Sequence, residues 1–176
     1  MNVTNVLKAG LQSSTIMTVA DIATQMLVEG KSSADLDAQR TLRFTVAGLA
    51  LHGPYFFVGF SALDRQFGAP TSFKVVAQKT AAAQFILFPP YLAMLFGLMG
   101  TLEQHPNVAE KIRTKVPEAF MSGCIYWPVA NSINFALIPT TFRVPYLAVS
   151  AGLWNCYLSW ENAKDDSSAG SKKKTT

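Results

Sequence analysis

Four long stretches of this chain contain no Asp, Glu, Lys or Arg. They lie between Arg43 and Asp64, Lys79 and Glu103, Glu118 and Arg143, and Arg143 and Glu161. A bilayer core of about 30 Å is crossed by about 20 helical residues, within a range of about 17–25, and each gap fits. A helix bathed in water carries charges on its wet face every few residues. Ordinary soluble domains are about 25% charged; this chain is 15% charged, 49% hydrophobic and has a mean hydropathy of +0.21. Inside lipid every backbone polar group must be satisfied within the spanning element, which a helix achieves. A membrane barrel would instead show many alternating segments of about ten residues. The expected fold is all-α: a polytopic membrane helix bundle of four to five membrane helices with proline breaks.

The fifth helix in that count is the segment from Leu11 to Val28, which carries Asp21, Gln25 and several Ser and Thr. An acid at membrane depth faces the bundle interior or a water-filled cavity, so this segment is expected to be a buried helix. An amphipathic helix lying on the membrane is the competing reading. Prolines interrupt the apolar segments at Pro54, Pro89, Pro90, Pro128, Pro139 and Pro145. Such breaks suit either a pore or simple bending. Gly48, Gly53, Ala148 and Gly152 provide small surfaces for close helix packing and for a homo-oligomer.

The chain is expected to form one domain over residues 1–163, followed by a disordered polar, basic tail over 164–176. With all five segments crossing, Lys8, the Arg65–Lys79 loop and Arg143 share one side. The Lys31–Arg43 loop, Lys111–Lys115 and the tail share the other. That distribution puts the C-terminus inside, by the positive-inside rule. Met1 to Gly10 is polar with a single Lys, so targeting is expected to be read from internal segments. Cys124 and Cys156 lie in apolar stretches and are expected to be packed thiols rather than a disulfide framework.

The basic pI near 9.1 comes from scattered Lys and Arg rather than a stripe, so no nucleic acid is expected as a partner. No Gly-rich phosphate loop, zinc-protease helix, paired-Cys motif or nucleophile elbow appears. No catalytic residue, metal site or cofactor is expected, and the chain is read as a non-enzyme. The residues placed by sequence in a pore or polar site are Asp21, Gln25, His52, Gln84 and Asn131. For His52, a packing role and a titratable pore role both stand.

The C-terminal third carries Trp127-Pro128, Asn134-Phe135, Pro139, Arg143 and Trp154-Asn155-x-Tyr157-Leu158-Ser159. In order and spacing this resembles the Mpv-seventeen and twenty-two-kilodalton peroxisomal membrane protein family. Upstream, Asp21-xxx-Gln25, Arg40-xx-Arg43, Gly48, Gly53-Pro54, Lys79-xxxx-Gln84 and Pro89 extend the resemblance to about Leu11–Trp160. The sequence departs from the family pattern at Phe57, Gly59, Ala83, Cys124 and Asn131. The resemblance implies a small multi-pass protein of the mitochondrial inner membrane, with the peroxisomal membrane as the alternative. It also implies a weakly selective channel for small solutes that supports mitochondrial homeostasis. The motif residues read mostly as structural. The competing function is a scaffold without transport, in which Asp21 pairs with Arg40 or Arg43.

Overall fold

The computed structural model describes the backbone of residues 2–70 and 72–173, and side chains as far as residue 158. The tail expected over 164–176 therefore lies outside the residues whose side chains are described. Among the described residues every regular element is helical: α1 (Val3–Ala23), α2 (Ala38–Ala47), α3 (Gly53–Phe67), α4 (Phe73–Ala82), α5 (Phe88–Leu102), α6 (Val108–Ser122), α7 (Tyr126–Leu137) and α8 (Arg143–Lys173). Local chemistry sets the boundaries. Asn2, Asp37, Ser72 and Asn107 accept a hydrogen bond from a first-turn amide of α1, α2, α4 and α6 respectively, satisfying donors that a helix start leaves open. Gly68 ends α3 with φ +73, a left-handed conformation that glycine adopts without a Cβ penalty.

The prolines do not break the long helices. Pro54 and Pro89 are preceded by π-helical turns at Gly48–His52 and Ala83–Leu87, so α2–α3 and α4–α5 are each one continuous run. A proline lacks the amide that would continue the regular ladder, and a widened turn accommodates the mismatch. A third π turn, Thr24–Val28, ends α1. Each widened turn holds a buried polar side chain: Gln25, His52 and Gln84.

Among the described residues two runs, Ala38–Phe67 and Phe73–Leu102, are long and apolar enough to cross a membrane. Of the other two charge-free gaps, the one from Arg143 to Glu161 lies within α8. The third is split at Gly123, with α6 ending at Ser122 and α7 only 12 residues long, about 18 Å at 1.5 Å per residue.

Packing orders the helices end to end. Val108 lies against Gly100, Phe120 against Phe88, and Thr80 bonds Ser132. Thus α6 and α7 in succession run back along α5 and α4. At the centre, α1 packs against α2, α3 and α8. It buries Ala9, Gly10, Ser13, Ser14, Met17 and Asp21 and exposes Leu7, Leu11 and Val19. A water-soluble helix does the reverse. The same inversion holds for α4–α5, whose apolar window is only 22% buried. The bundle turns an apolar surface outward and a partly polar core inward.

That core depends on backbone contact. A Cβ on Gly53 would lie 2.3 Å from the Ala9 carbonyl oxygen, and one on Gly48 would lie 2.6 Å from the Ser14 Cα. Likewise, a Cβ on Gly152 would meet the Ala20 Cβ at 2.5 Å. The small residues read from sequence as packing surfaces are where α1 meets the α2–α3 run and α8.

Candidate functional site

Charged side chains gather at the two ends of the bundle. At one end, Lys79 Nζ lies 2.6 Å from Asp64 Oδ1, and Arg143 Nη1 lies 2.7 and 2.8 Å from the two Asp64 oxygens. At the other, Arg40 pairs with Asp21 and Glu29 at 2.8 and 2.5 Å, and Glu103 pairs with Lys111. From Arg43 to Asp64 the helical path is about 31 Å, against about 30 Å of hydrocarbon. Lys8 lines a cavity at the Asp64 end, together with Arg143. The ends therefore hold the groups that the five-segment arrangement assigns to opposite sides.

Asp21 is buried at the Arg40 end. Its Oδ2 accepts hydrogen bonds from Gln25 Nε2 at 2.9 Å and Thr41 Oγ1 at 2.7 Å, and its Oδ1 faces Arg40 Nε. Gln25 Oε1 in turn accepts the Asp37 amide at 2.7 Å. This network ties the end of α1 to the start of α2, with Arg40 as the partner of Asp21. Burial raises the pKa of the nearby Glu29 carboxyl, but hydrogen bonds and charge from Arg40 and Lys31 outweigh it, leaving the pKa below its ordinary value. Asp37 is held low as well, first by the Arg40 amide that it caps.

Two cavities penetrate the bundle from these ends. The first, of 420 Å³, opens among Arg40, Arg43, Glu103 and Lys111 and runs inward to His52, Asn131 and Leu147. From Arg40 to His52 that is a depth of about 18 Å. Aromatic and aliphatic side chains form most of its wall, including Phe88, Tyr91, Trp127 and Trp154. The second, of 370 Å³, opens among Lys8, Asp64, Thr141 and Arg143 and ends at Phe57, Phe60 and Val144. Phe56 lines the first cavity and Phe60 the second. They sit one helical turn apart with ring centroids 5.5 Å apart. Phe60 also stacks edge-on against the buried Phe135 at 5.1 Å. Leu147 and Val144 make the corresponding step on α8. An apolar plug about one helical turn thick thus separates the two cavities.

The structure divides the sequence-assigned polar residues. His52 and Asn131 line the first cavity. His52 Nδ1 lies 3.1 Å from Ser13 Oγ, and its ring packs on Phe56 and Tyr91. Asn131 is 7% exposed and its Oδ1 has no hydrogen-bond partner. Asp21, Gln25 and Gln84 are buried outside both linings. Gln84 Nε2 approaches Cys124 Sγ at 3.9 Å, while its Oε1 is unpaired.

The motif residues are mainly internal. Asn134 Nδ2 donates to the Arg143 carbonyl at 3.4 Å, and Phe135 sits under both Lys79 and Arg143. Arg143, whose position beside apolar segments fits a headgroup anchor, is instead 3% exposed and ion-paired. Trp127 and Trp154 fit an interfacial belt by sequence, yet pack with Phe88 and Tyr126 and line the first cavity. Tyr157 stacks on Trp154, and Asn155 lines the same cavity. Pro128 and Pro139 lie near the start and just beyond the end of α7. Asp64 is the residue that sequence reasoning missed. The signal was present: Asp64 is the one acid between Asp37 and Glu103, and Lys79 and Arg143 fall on its side of the bundle.

Comparison with known proteins follows the same residues. The model of the Mpv17 / PMP22 family matches residues 100–159. Protein sym-1 of Neurospora crassa is 31% identical over 159 residues, covering 90% of this chain and 92% of that protein. The mitochondrial inner membrane protein Mpv17 of Drosophila melanogaster is 28% identical, covering 87% and 93%. The PXMP2/4 family protein 4 of Dictyostelium discoideum is 30% identical, covering 72% and 69%. No solved structure matches.

Proposed function

The chain belongs to the Mpv17 / PMP22 family, and from that premise we propose that it is a multi-pass protein of the mitochondrial inner membrane that conducts small solutes. The membrane assignment is supported by the relatives named mitochondrial inner membrane protein Mpv17. Five passages alternate between the two charged ends: residues 3–28, α2–α3, α4–α5, α6–α7 and the first part of α8. Only the last part of α6 and α7 share the fourth passage, which accounts for its short apolar helix. The observation that carries conduction is the pair of cavities entering from opposite ends and parted by one apolar turn. Hydrophobic constrictions gate by excluding water, so this arrangement is read as a closed pore.

The scaffold reading has one observation of its own, the largely buried Asp21–Gln25–Arg40–Thr41 network, which is interhelical glue. The two readings part at Asn131. Purified protein in a planar bilayer is expected to give discrete currents. Asn131→Leu, which removes a polar group from the inner wall of the first cavity, is expected to reduce them several-fold, while Asp21→Asn leaves unit conductance unchanged. Silence from folded protein across voltage and pH would leave the scaffold.

A further inference from the structure

The cavity at the Asp64 end has a charge imbalance that the fold does not resolve. Lys79 and Arg143 are 0% and 3% exposed, and both rely on the single carboxylate of Asp64. One acid neutralises one of them, so a positive charge is left over inside the protein, where an uncompensated ion is costly. Arg143 spends Nε on the Ile138 carbonyl at 3.3 Å and Nη1 on Asp64. Its Nη2 makes no hydrogen bond among the described residues. The guanidinium borders a 370 Å³ cavity whose wall also holds Lys8, Gln12 and Thr141, with Asp64 as its one acid. Hydroxyl, amide and ammonium donors therefore converge on one space with a surplus of positive charge. The start of α8 lies in the same wall and contributes the positive end of its dipole.

We propose that this cavity is a binding site for a small oxyanion, of the phosphate or carboxylate class, held by Arg143 and Lys8 with Gln12 and Thr141 as hydrogen-bond donors. An arginine presents a planar fork of donors matched to such groups. A bound anion supplies the charge that Asp64 alone does not. The first cavity offers no comparable site: its cations Arg40, Arg43 and Lys111 are already engaged by Asp21, Glu29 and Glu103, and its interior wall is mainly apolar. The proposal concerns occupancy of the site and stands whether or not solute crosses the plug.

The test is calorimetric titration of the full chain with inorganic phosphate, in phosphatidylcholine nanodiscs at constant ionic strength balanced with chloride. Saturable binding is expected. Lys8 is exposed and lines the mouth, so Lys8→Glu is expected to weaken binding about tenfold, the equivalent of one charge-assisted contact, without disturbing the fold. Arg65→Gln, an exposed charge outside the cavity lining, is expected to bind as the parent does. Nanodiscs containing phosphatidic acid separate the sources of the anion. Phosphate binding that disappears there assigns the site to a lipid headgroup, and binding that persists assigns it to a soluble anion; each supports the proposal. No saturable binding in phosphatidylcholine by protein with intact helical circular dichroism would overturn it. Equal binding by the parent and Lys8→Glu would do the same.

Discussion

Asp64→Asn is expected to destabilise the bundle by about 3 kcal/mol, the low end for breaking a buried ion pair. The substitution keeps the shape of the side chain and removes its charge. Lys79 and Arg143 would then both be buried cations without a carboxylate. The low end applies because the Asp64 side chain is itself 31% exposed, and water screens part of the change. Thermal unfolding in detergent, followed by helical circular dichroism, reads the effect. Glu118→Gln is the matched control. It breaks the Lys115–Glu118 pair, whose side chains are 52% and 66% exposed, and such surface pairs contribute little. Equal unfolding of the two variants would remove Asp64 from the centre of this end of the bundle.

Gly53→Leu is expected to cost a comparable amount, by a different route. The Cβ position is 2.3 Å from the Ala9 carbonyl oxygen and 2.5 Å from the Gly10 Cα. Both are backbone atoms that no rotamer change can move. Helix α1 has to separate from the α2–α3 run, and overpacking of this kind costs about 1–3 kcal/mol or more. The separation also pulls on Ser13, whose hydroxyl meets His52. Gly97→Ala offers the contrast, since the nearest atom to its Cβ is Ile112 Cδ1 at 3.5 Å, an ordinary contact. That variant is expected to unfold like the parent or slightly later, because alanine favours helix over glycine. A Gly53→Leu protein as stable as the parent would show that α1 does not touch the α2–α3 run as described.

Much of this arrangement was legible in the order of charges. The gaps marked the apolar segments, and their ends marked which charged residues share an end of the bundle, because each long segment reverses the chain. Lys8, Lys79 and Arg143 fell together on that argument and are together in space. Helix α1 was legible as buried because Asp21 has no place against lipid, and the pairing with Arg40 was one of two arginine options. Other features depend on three-dimensional register. Pro54 and Pro89 announced irregular backbone, but whether a helix kinks or widens is decided by its neighbours. Here Gly48 and Gly53 must reach α1 on one face while His52 turns toward Tyr91. Arg143 looked like a headgroup anchor because sequence shows the apolar neighbours of a charge and not its distant partner. Asp64, 79 residues away in the chain, is that partner. The division of the Glu118–Arg143 gap between α6 and α7 was also hidden, since a gap shows where charges stop and not where the backbone turns.

The central claim is that the two cavities open on opposite faces of the membrane, with the Phe56–Phe60 turn between them. Side-specific thiol labelling tests this most directly. In a Cys124→Ser, Cys156→Ser background, Ser61→Cys places a thiol in the wall of the second cavity and Ala151→Cys one in the wall of the first. In oriented proteoliposomes, a membrane-impermeant thiol reagent is expected to label Ser61→Cys only from the face that carries Lys8. It is expected to label Ala151→Cys only from the face that carries Lys111. Labelling of both positions from the same face would contradict the account.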